Sequence, residues 1–544
     1  MLQPCRRLLA ILVFSALAAG ACSRPEDNAP REETQAAAFD LSMALTDPGS
    51  LDPPKITSNS ATIIASQLCD TLVAFDPRTG VLKPGLAQSW TVAPDARKVT
   101  FQLRPGVKFH NGRDLVAEDF VYSLSRLANP TTASTQHFLL DKVVGYTETR
   151  AGRNPILTGV KAPAPQTLEV ELTQPFAEFP TILSNVVAGA AVPKEDVERS
   201  ADEFAAGPVC TGPYQVDGAG SEDGIRLVRN DAYYGANGGF QNGGRGLATS
   251  LSFRYVESDA DAYQLLADGD VDVSPVPPED LAAAKQVEER VTSAPNGHVS
   301  YIGLPVKKAP FDNPNLRKAL ALSVDRRSII SGLLGNSRQA PNGFLPSSVG
   351  PGADAGRCAD LAAEAADTDA AKAAIAQPGV TVPQEMNVYL NTGGGHEQWL
   401  ETVLEQWNED LSIRGVLKPA DWDPYIDFLS GTGADGPFRL AWSVNFPSPE
   451  ALFAPLFSSS SLDNYSRYSS QEFDAAMNKA RATVGDTERM AAYVDAGRIL
   501  CGDLPIIPIW FGLDHLAFAD GLTTGGAPRL DIFGDPILRE LRPS

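Results

Sequence analysis

Residues 68–127 constrain the fold more than any other stretch, reading LCDTLVAFDPRTGVLKPGLAQSWTVAPDARKVTFQLRPGVKFHNGRDLVAEDFVYSLSRL. Cys69 to Val73 runs into a turn at Asp76-Pro77-Arg78-Thr79-Gly80, and Pro84-Gly85 breaks the chain again before Leu86 to Trp90. Val99, Phe101 and Leu103 alternate with Thr100 and Gln102, the period of a half-buried strand. Arg104-Pro105-Gly106 and Asn111-Gly112 are turn signals. Ala117-Glu118-Asp119 then opens a helix with Phe120, Val121, Leu124 and Leu127 on one face. The stretch thus carries strand, turn and helix signals in succession.

A chain of 544 residues exceeds what one core organises, so two or three lobes are expected. The formal net charge of −22 argues against nucleic acid or an anionic membrane surface as partner and favours a soluble monomer. The N-terminus reads as an export signal over residues 1–21: Arg6 and Arg7, an apolar run from Leu8 to Ala18, then Ala19-Gly20-Ala21 before Cys22. Cys22 is the expected lipidation site, with residues 22–38 as a flexible tether to the membrane. Four cysteines remain in an oxidising compartment, Cys69, Cys210, Cys358 and Cys501. Three pairings are possible; Cys69–Cys210 with Cys358–Cys501 keeps each bridge within one half of the chain.

Residues 68–127 closely resemble the signature segment of the extracytoplasmic solute-binding proteins, family 5, that serve peptide-class ABC importers. That pattern runs L-v-x-x-D-x-x-T-G, P-x-L-A-x-S-W, T-F-x-L-R-x-G-v-k-F-h-x-G and t-A-x-D-v-v-y-S, and nearly every element stands here in order. The similarity resumes at Leu51-Asp52-Pro53, Thr211-Gly212-Pro213-Tyr214, Pro310 to Arg327, Asn464-Tyr465 and Leu504 to Trp510. It implies an α/β, periplasmic-binding-protein-like type II (cluster C) fold with two lobes, a hinge and an inserted domain. Lobe I would comprise 39–83, 206–300 and 508–544, the inserted domain 84–205, and lobe II 301–507, with hinges near 300 and 508.

The same resemblance places the ligand along Arg439-Leu440-Ala441-Trp442-Ser443-Val444-Asn445-Phe446. In peptide-binding relatives an extended ligand pairs with this strand, and an Asp there meets the ligand's α-ammonium. That position is Asn445 here, so the ligand is expected to lack a free α-amine or to find another acid. Arg439 matches a basic residue that meets a ligand carboxylate in some relatives. Thr57, Ser58 and Asn59 match the stretch opposing the ligand, and Tyr301 an aromatic wall.

Catalytic signatures are missing from the sequence: there is neither Gly-x-Ser-x-Gly nor His-Glu-x-x-His. The five histidines are scattered and read as surface or structural residues. Gly235 to Gly246 lacks a following Lys-Ser/Thr and reads as a surface loop. Asp268 to Asp272 imitates a calcium loop but has Val273 where glycine is required. Helix character is expected over 360–376. No metal and no cofactor is expected. The expected function is capture of an oligopeptide-like solute for an importer's permease subunits. A non-peptide solute of the same fold (haem, a nickel complex, an oligosaccharide) and a regulatory lipoprotein are alternatives, and an exported hydrolase comes last.

Overall fold

Lys98–Leu103 is a strand with Val99, Phe101 and Leu103 buried and Gln102 exposed, as its alternation requires. It lies in a four-stranded antiparallel sheet ordered 87–92, 98–103, 167–171, 160–164. The helix Ala117–Ala128 packs on this sheet through Phe120, Leu124 and Leu127. Asp119 reaches back to accept from the Val116 N–H at 2.9 Å and holds Arg113 through two further bonds, satisfying a helix N-terminus that has no other side-chain cap. Asp76 builds the preceding turn by accepting from the amides of Arg78 and Thr79, both at 3.0 Å.

The computed structural model describes residues 38–544 apart from 219, 236–243, 245, 288–289, 362–363, 432 and 528. The export signal, Cys22, tether residues 22–37 and most of the Gly235–Gly246 run lie outside the described residues.

Among the described residues eleven strands form the main sheet. In chain order they are β1 (Asp40–Thr46), β2 (Tyr214–Val216), β3 (Gly224–Arg229), β4 (Ser250–Val256), β5 (Val273–Pro275), β6 (Val291–Gly303), β7 (Arg338–Gln339), β8 (Glu385–Asn391), β9 (Arg414–Ala420), β10 (Phe438–Ser443) and β11 (Ile506–Phe518). Their spatial order is β9-β8-β10-β6-β11-β5-β1-β4-β3-β2, with β7 also pairing β11. The two longest strands, β6 and β11, run antiparallel through the middle. One end of this pair lies beside β5 and the other beside β10, so two half-sheets share two continuous strands.

The shared pair is irregular where the half-sheets meet. Pro295 pairs with Leu513 and Val299 with Phe511, so four residues of β6 span two of β11. Pro295 lacks an N–H for the ladder, and Gly297 adopts φ +78°, which a side chain would strain. The break thus lies a few residues before position 300 on the first strand and after 508 on the second.

Disulfides join Cys69 to Cys210 and Cys358 to Cys501. Beside the first, the Gly212 amide donates to the Leu68 carbonyl at 2.7 Å, and a Cβ at Gly212 would sit 2.4 Å from that oxygen. The Thr211-Gly212-Pro213-Tyr214 turn therefore needs its glycine for close approach.

Capping fixes the local structure at three of these stretches. Thr57-Ser58-Asn59 opens the helix Asn59–Leu68, with Ser58 as N-cap accepting from the Ala61 N–H at 3.1 Å. The regular helix within 360–376 begins only at Thr368, because Asp367 caps it by accepting from the Ala370 amide. Gly269, inside the calcium-like run, is the left-handed C-cap of the helix Asp259–Asp268.

Candidate functional site

β10 is paired with β6 along its full length, from Gly303–Phe438 to His298–Ser443. On its other edge β8 meets it only through Tyr389–Phe438. The Tyr425 hydroxyl donates to the Arg439 carbonyl at 2.6 Å. From Leu440 to Ser443 that edge has no strand partner among the described residues. Ser443 is exposed, and Ala441, Trp442 and Asn445 are half-buried. An unpaired edge of this kind can accept an added extended chain through main-chain hydrogen bonds.

The remaining expected residues divide by burial. Val444 and Phe446 are buried, and Tyr301 lies in the core opposite Leu440. Tyr301 is packing rather than an accessible wall. The Trp442 indole N–H donates to the Ala451 carbonyl at 2.7 Å, which pins the ring against the helix Glu450–Phe457. Ser58 has its hydroxyl engaged by the Ala61 amide and the Pro48 carbonyl, while Thr57 and Asn59 are exposed. Asp535 is crowded by Asp531 and Asp514; burial, with like charge, raises these three carboxyls above their usual range. Asp514 accepts from Asn296 at 2.7 Å, beside the break in β6.

Arg439 is 8% exposed. Its Nη1 donates to the neutral Asn391 side chain at 3.1 Å, and its Nε has no hydrogen-bond partner. Burial pushes its pKa down to about 10 despite Tyr425 and Tyr301 nearby. His298, opposite Ser443, and His396, just before the helix Glu397–Leu411, both lie in its field. Burial and then Arg439 hold each imidazole down to about 4, so both are neutral near pH 7. Sequence reasoning missed this gathering because the two histidines are far apart in the chain. Glycines 393–395 before His396 were the one local signal of a turn presented to solvent. The wall carries a buried cation without a counter-ion among the described residues, so it can receive an anionic group.

A cavity of about 490 Å³ lies beside the break in β6, lined among others by Thr79, Pro295, Ser347, Gly350, Asp531 and Ile532. Its walls join Pro295 of β6 to the turn around Thr79, the segment Ser347–Gly356 and the loop around Asp531. No group of three or more potential metal-ligating side chains occurs among the described residues.

The family model for bacterial extracellular solute-binding proteins, family 5, middle part, matches residues 81–464. The probable deoxycholate-binding periplasmic protein YgiS of Escherichia coli is 27% identical over 478 residues, 86% of each chain. The structure of Haemophilus influenzae OppA in complex with the peptide RPPGFSPFR is 25% identical, covers 93% of this chain and 99% of its own, and has a TM-score of 0.67. The unliganded open form of the murein tripeptide-binding protein MppA covers 94% and 98%, at 23% identity, with a TM-score of 0.80. Global agreement is thus better with an open, empty relative than with a peptide complex. The fold is the two-lobed type II periplasmic-binding-protein fold, and the chain belongs to the bacterial extracellular solute-binding proteins, family 5.

Proposed function

We propose that this protein is the extracytoplasmic binding component of an ABC importer. It captures an oligopeptide-like solute between two closing lobes and delivers it to the permease subunits. The observation that carries this reading is the open edge of β10 from Leu440 to Ser443, beside the break in the two shared strands. Main-chain pairing along such an edge tolerates many side chains. A solute that touches both lobes favours the closed form only by its extra affinity for that form.

The lobes are assigned to 39–83, 206–300 and 508–544, and to 301–507, with 84–205 inserted in the first. Arg439 takes a ligand carboxylate, and Ala441 to Asn445 line the main chain. The chain carries out no reaction, is a monomer, and is held to the membrane by lipid on Cys22 after removal of the export signal. Arg6, Arg7, the apolar run and the small residues before Cys22 support that anchor.

A second reading, a non-peptide anionic solute, is favoured by Asn445. A buried ammonium without its carboxylate partner costs about 3–5 kcal/mol. Calorimetric titration of ligand-stripped protein with free and N-acetylated tripeptides to pentapeptides tests both. One-to-one binding in which acetylation costs less than about tenfold is expected. Heat from no peptide would turn the assignment to the non-peptide solute, and peptide turnover would revive a hydrolase.

A further inference from the structure

Asn185 and Asn445 are 260 residues apart in sequence and in direct contact. Asn185 precedes the short helix Val186–Gly189, and its Oδ1 accepts from the Val187 N–H at 2.8 Å. That bond fixes the amide's orientation and turns Nδ2 towards the Asn445 carbonyl, which accepts from it at 2.8 Å. Nearby in the same segment, buried Glu178 accepts from the Ser448 hydroxyl at 2.7 Å and from Tyr493 at 2.5 Å, with Arg489 at 3.2 Å. Ser448 Oγ in turn accepts from the Glu450 amide at 3.1 Å.

The turn these contacts hold is Asn445-Phe446-Pro447-Ser448-Pro449. Its two prolines donate no main-chain hydrogen bond, so it cannot secure itself by continuing β10 as a ladder. On the β6 side the Val444 amide donates to the Gly297 carbonyl at 3.0 Å. On the other side, both side chains that grip the turn come from segment 178–185, within the stretch 84–205. Asn445 is therefore held between the break in the shared strands and a segment outside lobe II.

We propose that Asn185, supported by Glu178, is a positioning residue for solute recognition. By holding the Asn445 carbonyl it sets where the Asn445 side chain points and where the open edge of β10 ends. The inserted domain then shapes specificity while contributing no wall of its own at this point. The inference rests on the reading that β10 receives the solute.

Asn185→Asp keeps an acceptor for Val187 but loses the donor to Asn445, whereas Asn185→Ala loses both. Hydrogen exchange on the full, unliganded chain is expected to be about tenfold faster at the amides of Val444, Asn445, Phe446 and Ser448 in both variants, and faster at 186–189 only in the alanine variant. Trialanine, the probe peptide, is expected to bind Asn185→Asp about tenfold more weakly with an unchanged thermal midpoint. Wild-type exchange at 444–448 in Asn185→Asp would overturn the proposal whatever the solute. Faster exchange with unchanged trialanine affinity would reduce Asn185 to a brace and overturn it as well. Failure of the wild type to bind trialanine would instead count against the peptide reading, while exchange would still decide what Asn185 holds.

Discussion

Arg439 donates to Asn391 across 3.1 Å, and this neutral side chain is the guanidinium's hydrogen-bond partner in an otherwise buried setting. A charge buried without a counter-ion lowers stability, and it is retained where a ligand supplies the missing charge. Arg439→Met, of similar length and apolar, is expected to raise the unfolding free energy by about 1–3 kcal/mol. The same variant should weaken binding of a carboxylate-bearing solute at least tenfold, about 1.4 kcal/mol. Urea unfolding and calorimetry on one preparation check both. A variant that loses stability would show that Arg439 is already compensated within the protein.

Asn445→Asp restores an acid at the end of β10. Peptides with a free α-amine should then gain about 1.5–3 kcal/mol over their N-acetylated counterparts, the range of a charge-assisted hydrogen bond. Paired titrations of wild type and variant measure the gain. No change would place the ligand's amino end elsewhere, with the crowded Asp514, Asp531 and Asp535 as the next residues to substitute.

His110 predicts a pH effect of definite sign. Its Nδ1 accepts from the Cys210 N–H at 3.3 Å, and its Nε2 faces the Gly212 carbonyl at 3.1 Å. A donor opposite Nδ1 leaves no room for a second proton, and burial lowers the pKa to about 4. The unfolded imidazole gains its proton below about 6.5, so between pH 6.5 and 4 the unfolded state binds more protons. Stability from this group is complete above that window and is lost as pH falls through it. The raised carboxyls act in the opposite direction, so the comparison is with His110→Gln at each pH. The stability advantage of wild type over this variant should shrink by roughly 2 kcal/mol between pH 7 and pH 5. A constant difference in urea unfolding would contradict the assigned tautomer.

The bridges Cys69–Cys210 and Cys358–Cys501 close sequence separations of 141 and 143 residues. Replacing Cys69 and Cys210 together by serine should cost about 2–4 kcal/mol of unfolding free energy, chiefly by freeing the unfolded chain. Unfolding with and without reductant checks this, since reductant should shift the double variant less than the wild type.

The parts of the fold written in short-range signals were readable from the sequence. Asp76 in its turn, the alternation of Val99, Phe101 and Leu103, and the helix led by Asp119 each depend on neighbours within a few residues. Ser58 is a local signal that the resemblance left unused: a serine before a helical run reads as an N-cap. The site was only half legible. Sequence similarity pointed to Arg439 to Phe446 as the candidate stretch, but not to the burial of Tyr301, the tie of the Trp442 indole to Ala451, or the nearness of His298 and His396 to Arg439. Those facts depend on tertiary packing, the pairing of β6 with β10 and β11 included, rather than on local pattern. Asn185 is the extreme case, since nothing near it in sequence points to Asn445.

We propose that the two half-sheets close on a solute lying along β10. Native mass spectrometry of the ligand-stripped protein, mixed with a pool of free and N-acetylated tripeptides to pentapeptides, tests it most directly. One-to-one adducts are expected that the Arg439→Met variant fails to form. Unmodified protein mass with every peptide, or peptide fragments without adducts, would contradict it.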